Sequence, residues 1–203
     1  MTDFLPGMAP AMPHVADDGA AGDEWYTPAF ILFWLGRIAL DPCWSAASIV
    51  RATVTLDLRR GQDGLATCWR TAVAAFLNHE GATIHRHAGI VFVNPPFSNC
   101  SDWLAKCANE AERGAGIVVA LVPATPGDGP WHSSVWGRAS WVGFLRDRVQ
   151  FVNPKGRWET KGRGHALLVY GRDAAQVDAF VQQVAERAAG HPQAPVWVRQ
   201  VAF

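Results

Sequence analysis

Gly89-Ile90-Val91-Phe92-Val93-Asn94-Pro95-Pro96-Phe97 is the stretch on which the reading of this chain turns. Its first half is a short, β-branched, uninterrupted apolar run, the pattern of a strand buried on both faces of a sheet. Two consecutive prolines then remove two backbone donors and fix φ twice, so the strand must pass into a stiff loop whose carbonyls face outward. A buried central strand ending at Asn94 is the expectation.

Working outward, Ile117–Val122 is a similar run closed by Pro123, and Ala166–Tyr170 is another. Val50–Leu58, Phe144–Val152 and Val196–Phe203 read as further strands, the last at an edge. Helices are expected from Pro28 to Trp34 or Leu35 with Thr27 as cap, from Asp102 to Arg113 between a Ser101 cap and Gly114, and over Asp173–Ala189. The alternation implies an α/β fold, a mixed and mostly parallel sheet with helices on both faces. In such sheets ligands bind outside the carboxyl ends of the strands, which puts Asn94 on the active edge.

The chain has 203 residues, 49% of them hydrophobic and 18% charged, enough for one ordinary core. Residues 1–22, rich in Pro, Gly, Ala and Met, read as a flexible arm, leaving 23–203 as a single domain. Cys43, Cys68, Cys100 and Cys107 form no CxxC pair, and are read as reduced packing residues. His85 and His87 bracket Arg86 without a nearby Cys or carboxylate set, so they read as loop residues and no metal is expected. No basic segment followed by an apolar one opens the chain, and Phe30–Leu40 is too short to span a bilayer, so a soluble, cytoplasmic protein is expected.

Formal net charge is zero, but its distribution is uneven. Arg146, Arg148, Lys155, Arg157, Lys161, Arg163 and Arg172 face only Asp147 and Glu159 over the same stretch. A local basic segment of this kind can contact phosphates in a neutral molecule, as it can also be an ordinary solvated face. Trp158 is interleaved in it, within the loop expected over Asn153–His165, and base stacking would suit an exposed tryptophan. Trp131 and His132 follow the loop from Pro123 to Pro130, where the rim of a site should lie, and suit either contact with a base or packing under the loop.

The Asn94–Phe97 loop carries the chemistry. An exocyclic amine of adenine has two N–H donors and a lone pair delocalised into the ring. If the Asn94 side-chain oxygen and the Pro95 carbonyl accept those hydrogens, the lone pair is freed toward an electrophilic methyl group, with catalysis by positioning and electrostatics. Adenine inside a duplex must first be extruded, at a cost of a few kcal/mol. Stacking on Phe97 would return roughly 1–3 kcal/mol of that.

Several segments, taken in order, resemble the phage-type DNA N6-adenine methyltransferases related to Dam. They are Asp23-Glu24-Trp25-Tyr26-Thr27-Pro28, Leu40-Asp41-Pro42, Asp63-Gly64-Leu65 with Trp69, Val93-Asn94-Pro95-Pro96-Phe97, Leu121-Val122-Pro123-Ala124-Thr125, and Phe144-Leu145-Arg146 leading into Val149-Gln150-Phe151. The resemblance implies a Rossmann-like class I fold, S-adenosyl-L-methionine as methyl donor and double-stranded DNA as substrate, in a phage- or prophage-encoded protein of a bacterial host. It implies that Asn94, Pro95, Pro96 and Phe97 are catalytic. It further implies that Tyr26, Thr27 and Pro28 touch the methionine end of the donor, that Asp41, Pro42 and Cys43 lie beneath it, and that Asp63, Gly64 and Leu65 lie near its adenine. A carboxylate at a strand end, such as Asp41, can pair with an ammonium group. Asp57 is a second acid placed either to reach ribose hydroxyls or to face solvent. Phosphate and DNA contacts fall to Trp131, His132, Lys155, Arg157, Lys161 and Arg163, and such phosphate contacts set register rather than sequence.

The run Asp41-Pro42-Cys43-Trp44-Ser45-Ala46-Ala47-Ser48 departs from many methyltransferases in having no glycine where the backbone approaches the donor. Two other readings stand beside the first. One is methylation of another planar amine, namely an RNA base, cytosine N4 or a protein glutamine. The other is a DNA-binding homologue that has lost turnover.

Overall fold

The computed structural model describes residues 25–79, 89–153, 155–160 and 163–200. The expected arm over 1–22, His85, His87, Lys161 and the end of the C-terminal strand lie outside the described residues.

The buried runs before Asn94 and before Pro123 form strands as predicted, and Ile38–Asp41, not among the predicted runs, forms another between them and Ala52–Thr55. Strands β1 (Ile38–Asp41), β2 (Ala52–Thr55), β3 (Ile90–Val93) and β4 (Val118–Pro123) lie side by side in the order β2-β1-β3-β4, all parallel. Strand order reverses between β1 and β3, which makes a crevice at their carboxyl ends. Beyond β4 the sheet is antiparallel. There β8 (His165–Tyr170) pairs with β4 and with β5 (Trp141–Leu145), and β9 (Pro195–Arg199) closes the edge against β5. The sheet is therefore mixed and mostly parallel, as expected: β1 to β5 all point one way, and only β8 and β9 run against them.

Both faces are covered. Alternate strand residues such as Val118, Ala120 and Val122 join one core with Trp69, Leu104 and Trp131. Val119 and Leu121 join a second core with Trp34, Phe180 and Val184 on the opposite face. Helices α2 (Trp69–His79), α3 (Cys100–Glu112) and α4 (Gly129–Ser134) serve the first core, and α1 (Ala29–Leu35) and α5 (Ala174–Ala188) the second. Full burial of each such aliphatic or aromatic side chain contributes about 1.5–3 kcal/mol. No helix among the described residues is long and apolar enough to cross a membrane.

Several local expectations change. Pro28, not Thr27, is the N-cap of α1, and the Thr27 hydroxyl makes no capping bond. α3 begins at Cys100 directly after a 3-10 turn over Phe97–Asn99, so Ser101 lies inside the helix and caps nothing. The Val50–Leu58 strand is cut short at Thr55, before a 3-10 turn over Leu58–Arg60 whose cap is Asp57. The run Phe144–Val152 is two strands, because Asp147 Oδ1 accepts the Arg148 N–H at 2.7 Å and turns the chain after β5. Its second half is β6 (Gln150–Val152), paired with β7 (Trp158–Thr160) inside the segment expected to be a loop. This hairpin also bridges Val152 to Tyr26.

α2 has no cap written beside it. Its first N–H, from Trp69, is held at 2.9 Å by Oε2 of Glu110, a residue on α3. Glu110 is fully buried and its other oxygen takes Lys106 Nζ at 2.9 Å. Replacing Glu110 by Leu strands a buried helix terminus and a lysine at once. We expect a loss of about 2–4 kcal/mol of unfolding free energy, measured by urea denaturation.

Candidate active site

The carboxyl ends of β1, β2 and β3 open into a cavity of about 440 Å³. That is within the usual range for a small-molecule site. Its wall comes from Trp25–Thr27, Asp41–Ser45, Leu56–Arg59, Gln62–Leu65, Asn94–Pro96 and Trp103, with Ser48 and Val50. Of the residues expected at the site, Tyr26, Thr27, Asp41, Pro42, Cys43, Asp57, Asp63, Gly64, Leu65, Asn94, Pro95 and Pro96 all meet here. Pro28 is not in the wall. It is spent on starting α1.

Asn94 follows the last residue of β3, and its side chain is held by one end. Nδ2 donates to the Trp25 carbonyl. Oδ1 is buried and has no partner among the described residues. A buried acceptor without a donor is costly unless something else satisfies it. The Asn94 backbone carbonyl accepts from Cys43 Sγ at 3.3 Å. Thr27 Oγ1, on the same wall, is likewise buried and unpartnered. Two polar atoms buried at the wall thus have no partner among the described residues.

Asp41 ends β1 with 4% of its surface exposed, and its Oδ1 accepts Cys43 N–H at 3.1 Å. Burial pushes its pKa up to about 7, and the Cys43 hydrogen bonds only partly offset this. Cys43 is pushed well up by burial and then by the Asp41 charge, so it stays a thiol that donates. Asp57 is not on a solvent face. Just past β2, its Oδ1 accepts Arg59 N–H at 3.0 Å and it lines the cavity. Asp63 Oδ1 accepts Leu65 N–H at 2.8 Å, shaping the turn that brings Gly64 inward.

Gly64 supplies the close approach for which the Asp41–Ser48 run has no glycine. A Cβ there would lie 1.9 Å from the Pro42 carbonyl oxygen. Its own carbonyl accepts Trp69 Nε1–H at 2.8 Å, and Trp69 is capped by Glu110. The wall thus hangs on a chain from α3 through α2. Sequence reasoning passed over Glu110, although an acid beside the apolar stripe of Leu104, Cys107 and Ala111 was a visible signal.

Phe97 lies off the cavity wall, with its ring against Phe151 and His165, each at 5.8 Å. The rim residue Trp131 is corrected. It is 1% exposed, packed on Trp136 and Phe144, and has no surface to offer DNA. His132 beside it is exposed, as are Lys155, Arg157 and Arg163, the last within 4.0 Å of Asp128. Trp158 is 61% exposed at the start of β7. All four cysteines are free thiols. Among the described residues no cluster of His, Cys, Asp and Glu could hold a metal ion.

Two measurements follow. The folded chain keeps the Asp41 proton to about pH 7, whereas an unfolded chain releases it near 3.8. Because the folded state binds the extra proton between these values, stability falls as pH rises across them, by at most about 4 kcal/mol. Urea midpoints against pH should show that slope, and Asp41→Asn should flatten it. Gly64→Ala forces Pro42 or the Asp63–Leu65 turn to shift and should cost about 1–3 kcal/mol in the same assay.

Comparison with protein families matches the chain to the DNA N-6-adenine-methyltransferase (Dam) family over residues 17–189. Comparison with curated proteins and with solved structures gives no match. The family match takes in the helices α1 to α5, the cavity wall and the Asn94–Phe97 loop together. The chain belongs to the DNA N-6-adenine-methyltransferase (Dam) family.

Proposed function

We propose that this chain transfers a methyl group from S-adenosyl-L-methionine to N6 of an adenine extruded from double-stranded DNA. The observation that carries the reading is the Asn94 amide, fixed through Nδ2 with its Oδ1 buried and unpartnered at the cavity wall. The parallel order β2-β1-β3-β4, the crevice at the reversal beside β1 and the helices on both faces support a Rossmann-like class I domain over 23–203.

The cavity suits the donor. Asp57 and Asp63 present carboxylates for a molecule that carries positive charge and hydroxyls, Asp41 a buried carboxyl group that would give up its proton beside such a charge, and Arg59 is the one cation on the wall among the described residues. Asp41 would hold the ammonium, Asp57 the ribose hydroxyls, Gly64 and Leu65 the adenine ring, and Tyr26 with Thr27 the methionine end. Pro42 and Cys43 form the floor. When bound, S-adenosyl-L-methionine supplies an electrophilic methyl carbon on a sulfonium.

The protein's share is positioning. Asn94 Oδ1 and the Pro95 carbonyl accept the two N–H groups of the target amine, which loosens the conjugation of its lone pair. Pro95 and Pro96 hold those acceptors in one geometry at no further entropic cost. Because Nδ2 already donates to Trp25, the amide cannot flip and present a donor instead. Phe97 stacks on the extruded base. No side-chain base is needed, since the amine becomes acidic once alkylated and its proton leaves to solvent. Lys155, Arg157 and Arg163, exposed on and beside the hairpin, meet phosphates, and the same role is assigned to Lys161 and His132 from the sequence, with Trp158 exposed at the start of β7. Such contacts predict binding that weakens steeply with salt.

The test is transfer of labelled methyl to unmethylated duplex DNA. Asn94→Ala should lower kcat by about 10²–10³ with little change in donor affinity. Equal incorporation by both proteins would overturn the assignment. A chain that retards DNA and gives no heat with the donor would instead be a binding protein.

A further inference from the structure

We propose that His165 donates a hydrogen bond to a ring nitrogen of the target adenine, and so helps determine which base the site accepts. The inference rests on the methyl-transfer reading above.

His165 is the first residue of β8 and pairs with Pro123 at the carboxyl end of β4. β8 runs antiparallel, so its beginning lies on the same sheet edge as the end of β3, where Asn94 stands. Two strand spacings separate them, roughly 10 Å. Phe97 belongs to the loop that leaves β3, and its ring contacts the imidazole at 5.8 Å, tilted by 37°. Phe151 of the hairpin lies against the imidazole at 4.9 Å and touches the Phe97 ring as well.

The imidazole is 1% exposed, and neither Nδ1 nor Nε2 has a partner among the described residues. A purely structural residue in this aromatic niche would be Phe or Leu, which fill it without leaving polar atoms unsatisfied. Retention of two hydrogen-bonding nitrogens beside the catalytic loop points to a ligand atom. Burial pushes the pKa down to about 4, so the ring is neutral at ordinary pH, with one donor and one acceptor nitrogen.

Adenine offers what such a ring requires. With the amine engaged by Asn94 and Pro95, the flanking N1 and N7 are acceptors only. His165, like Phe97, lies off the cavity wall, so the contact requires the Phe97 ring to leave the imidazole and move onto the base. A neutral His N–H then meets N1 or N7. Guanine would set its O6 against the Asn94 oxygen, and its N1–H against a donor.

The experiment uses a duplex whose methylated adenine has first been mapped, with that adenine replaced by 1-deazaadenine or 7-deazaadenine. Wild-type enzyme should lose roughly 10- to 100-fold in kcat/KM on one analogue. His165→Phe, which keeps the ring packing, should show the same loss on natural adenine and no further loss on that analogue. Its thermal stability should equal or exceed that of wild type, which separates a lost contact from a damaged fold. If wild type methylates both analogues as well as adenine, or if His165→Phe matches wild type on adenine, the inference falls while the methyl-transfer reading stands. If wild type transfers no methyl to any duplex, that reading fails first.

Discussion

A single amide orientation underlies the site. Asn94 Nδ2 donates to the Trp25 carbonyl, and this bond leaves the oxygen and not the nitrogen as the unpartnered end of the amide among the described residues. The two ends of the bond are far apart in sequence. β3 carries one of them, and the segment leading into α1 carries the other. That segment is itself tied to the β6–β7 hairpin through the backbone pairing of Tyr26 with Val152. The acceptor therefore depends on the mutual placement of a strand end, a helix approach and a hairpin. Phe151 of the same hairpin touches Phe97, so both ends of the Asn94–Phe97 loop are braced from one element.

The opposite wall rests on a different device. Many cofactor crevices use glycines after the first strand to let backbone come close. Here the approach is made from the other side, where Gly64 presses against the Pro42 carbonyl. The Cys43 thiol lies between the acid at the end of β1 and the loop at the end of β3, with Asp41 Oδ1 at 3.6 Å and the Asn94 carbonyl at 3.3 Å as alternative acceptors of its one S–H. Glu110 holds Trp69, and Trp69 holds Gly64. A wholly buried carboxylate is expensive to keep, and here its partners are a helix terminus and a lysine that together compensate its charge.

Much of this was legible beforehand because some residue patterns have few physical solutions. An apolar run such as Ile90–Val93, with no polar alternation and prolines directly behind it, can be little but a buried strand entering a stiff loop. The helix expected over Asp173–Ala189 forms as α5, with Asp173 just outside it as the cap that accepts the Gln176 N–H at 3.1 Å. The errors have physical causes too. Thr27 has the chemistry of a cap, but Pro28 starts the helix and leaves the hydroxyl for the cavity. Trp131 was expected at a rim because the residues before it form a loop. It instead lies within the short helix α4 with its ring stacked on Phe144 of β5, and burial of so large an apolar ring outweighs any role at the surface.

What the amino-acid order determined alone was local: strand runs, proline-stiffened corners, caps set by neighbouring residues, and the family to which the ordered motifs belong. What only the tertiary structure decided was every interaction whose partners are remote along the chain. The direction of the Asn94 amide, the neutral buried imidazole of His165, the proton on Asp41 and the cap that Glu110 gives α2 are of that kind. The reason is that hydrogen-bond direction and desolvation depend on which atoms surround a group in space. Sequence spacing constrains those neighbours only over a turn or two of chain.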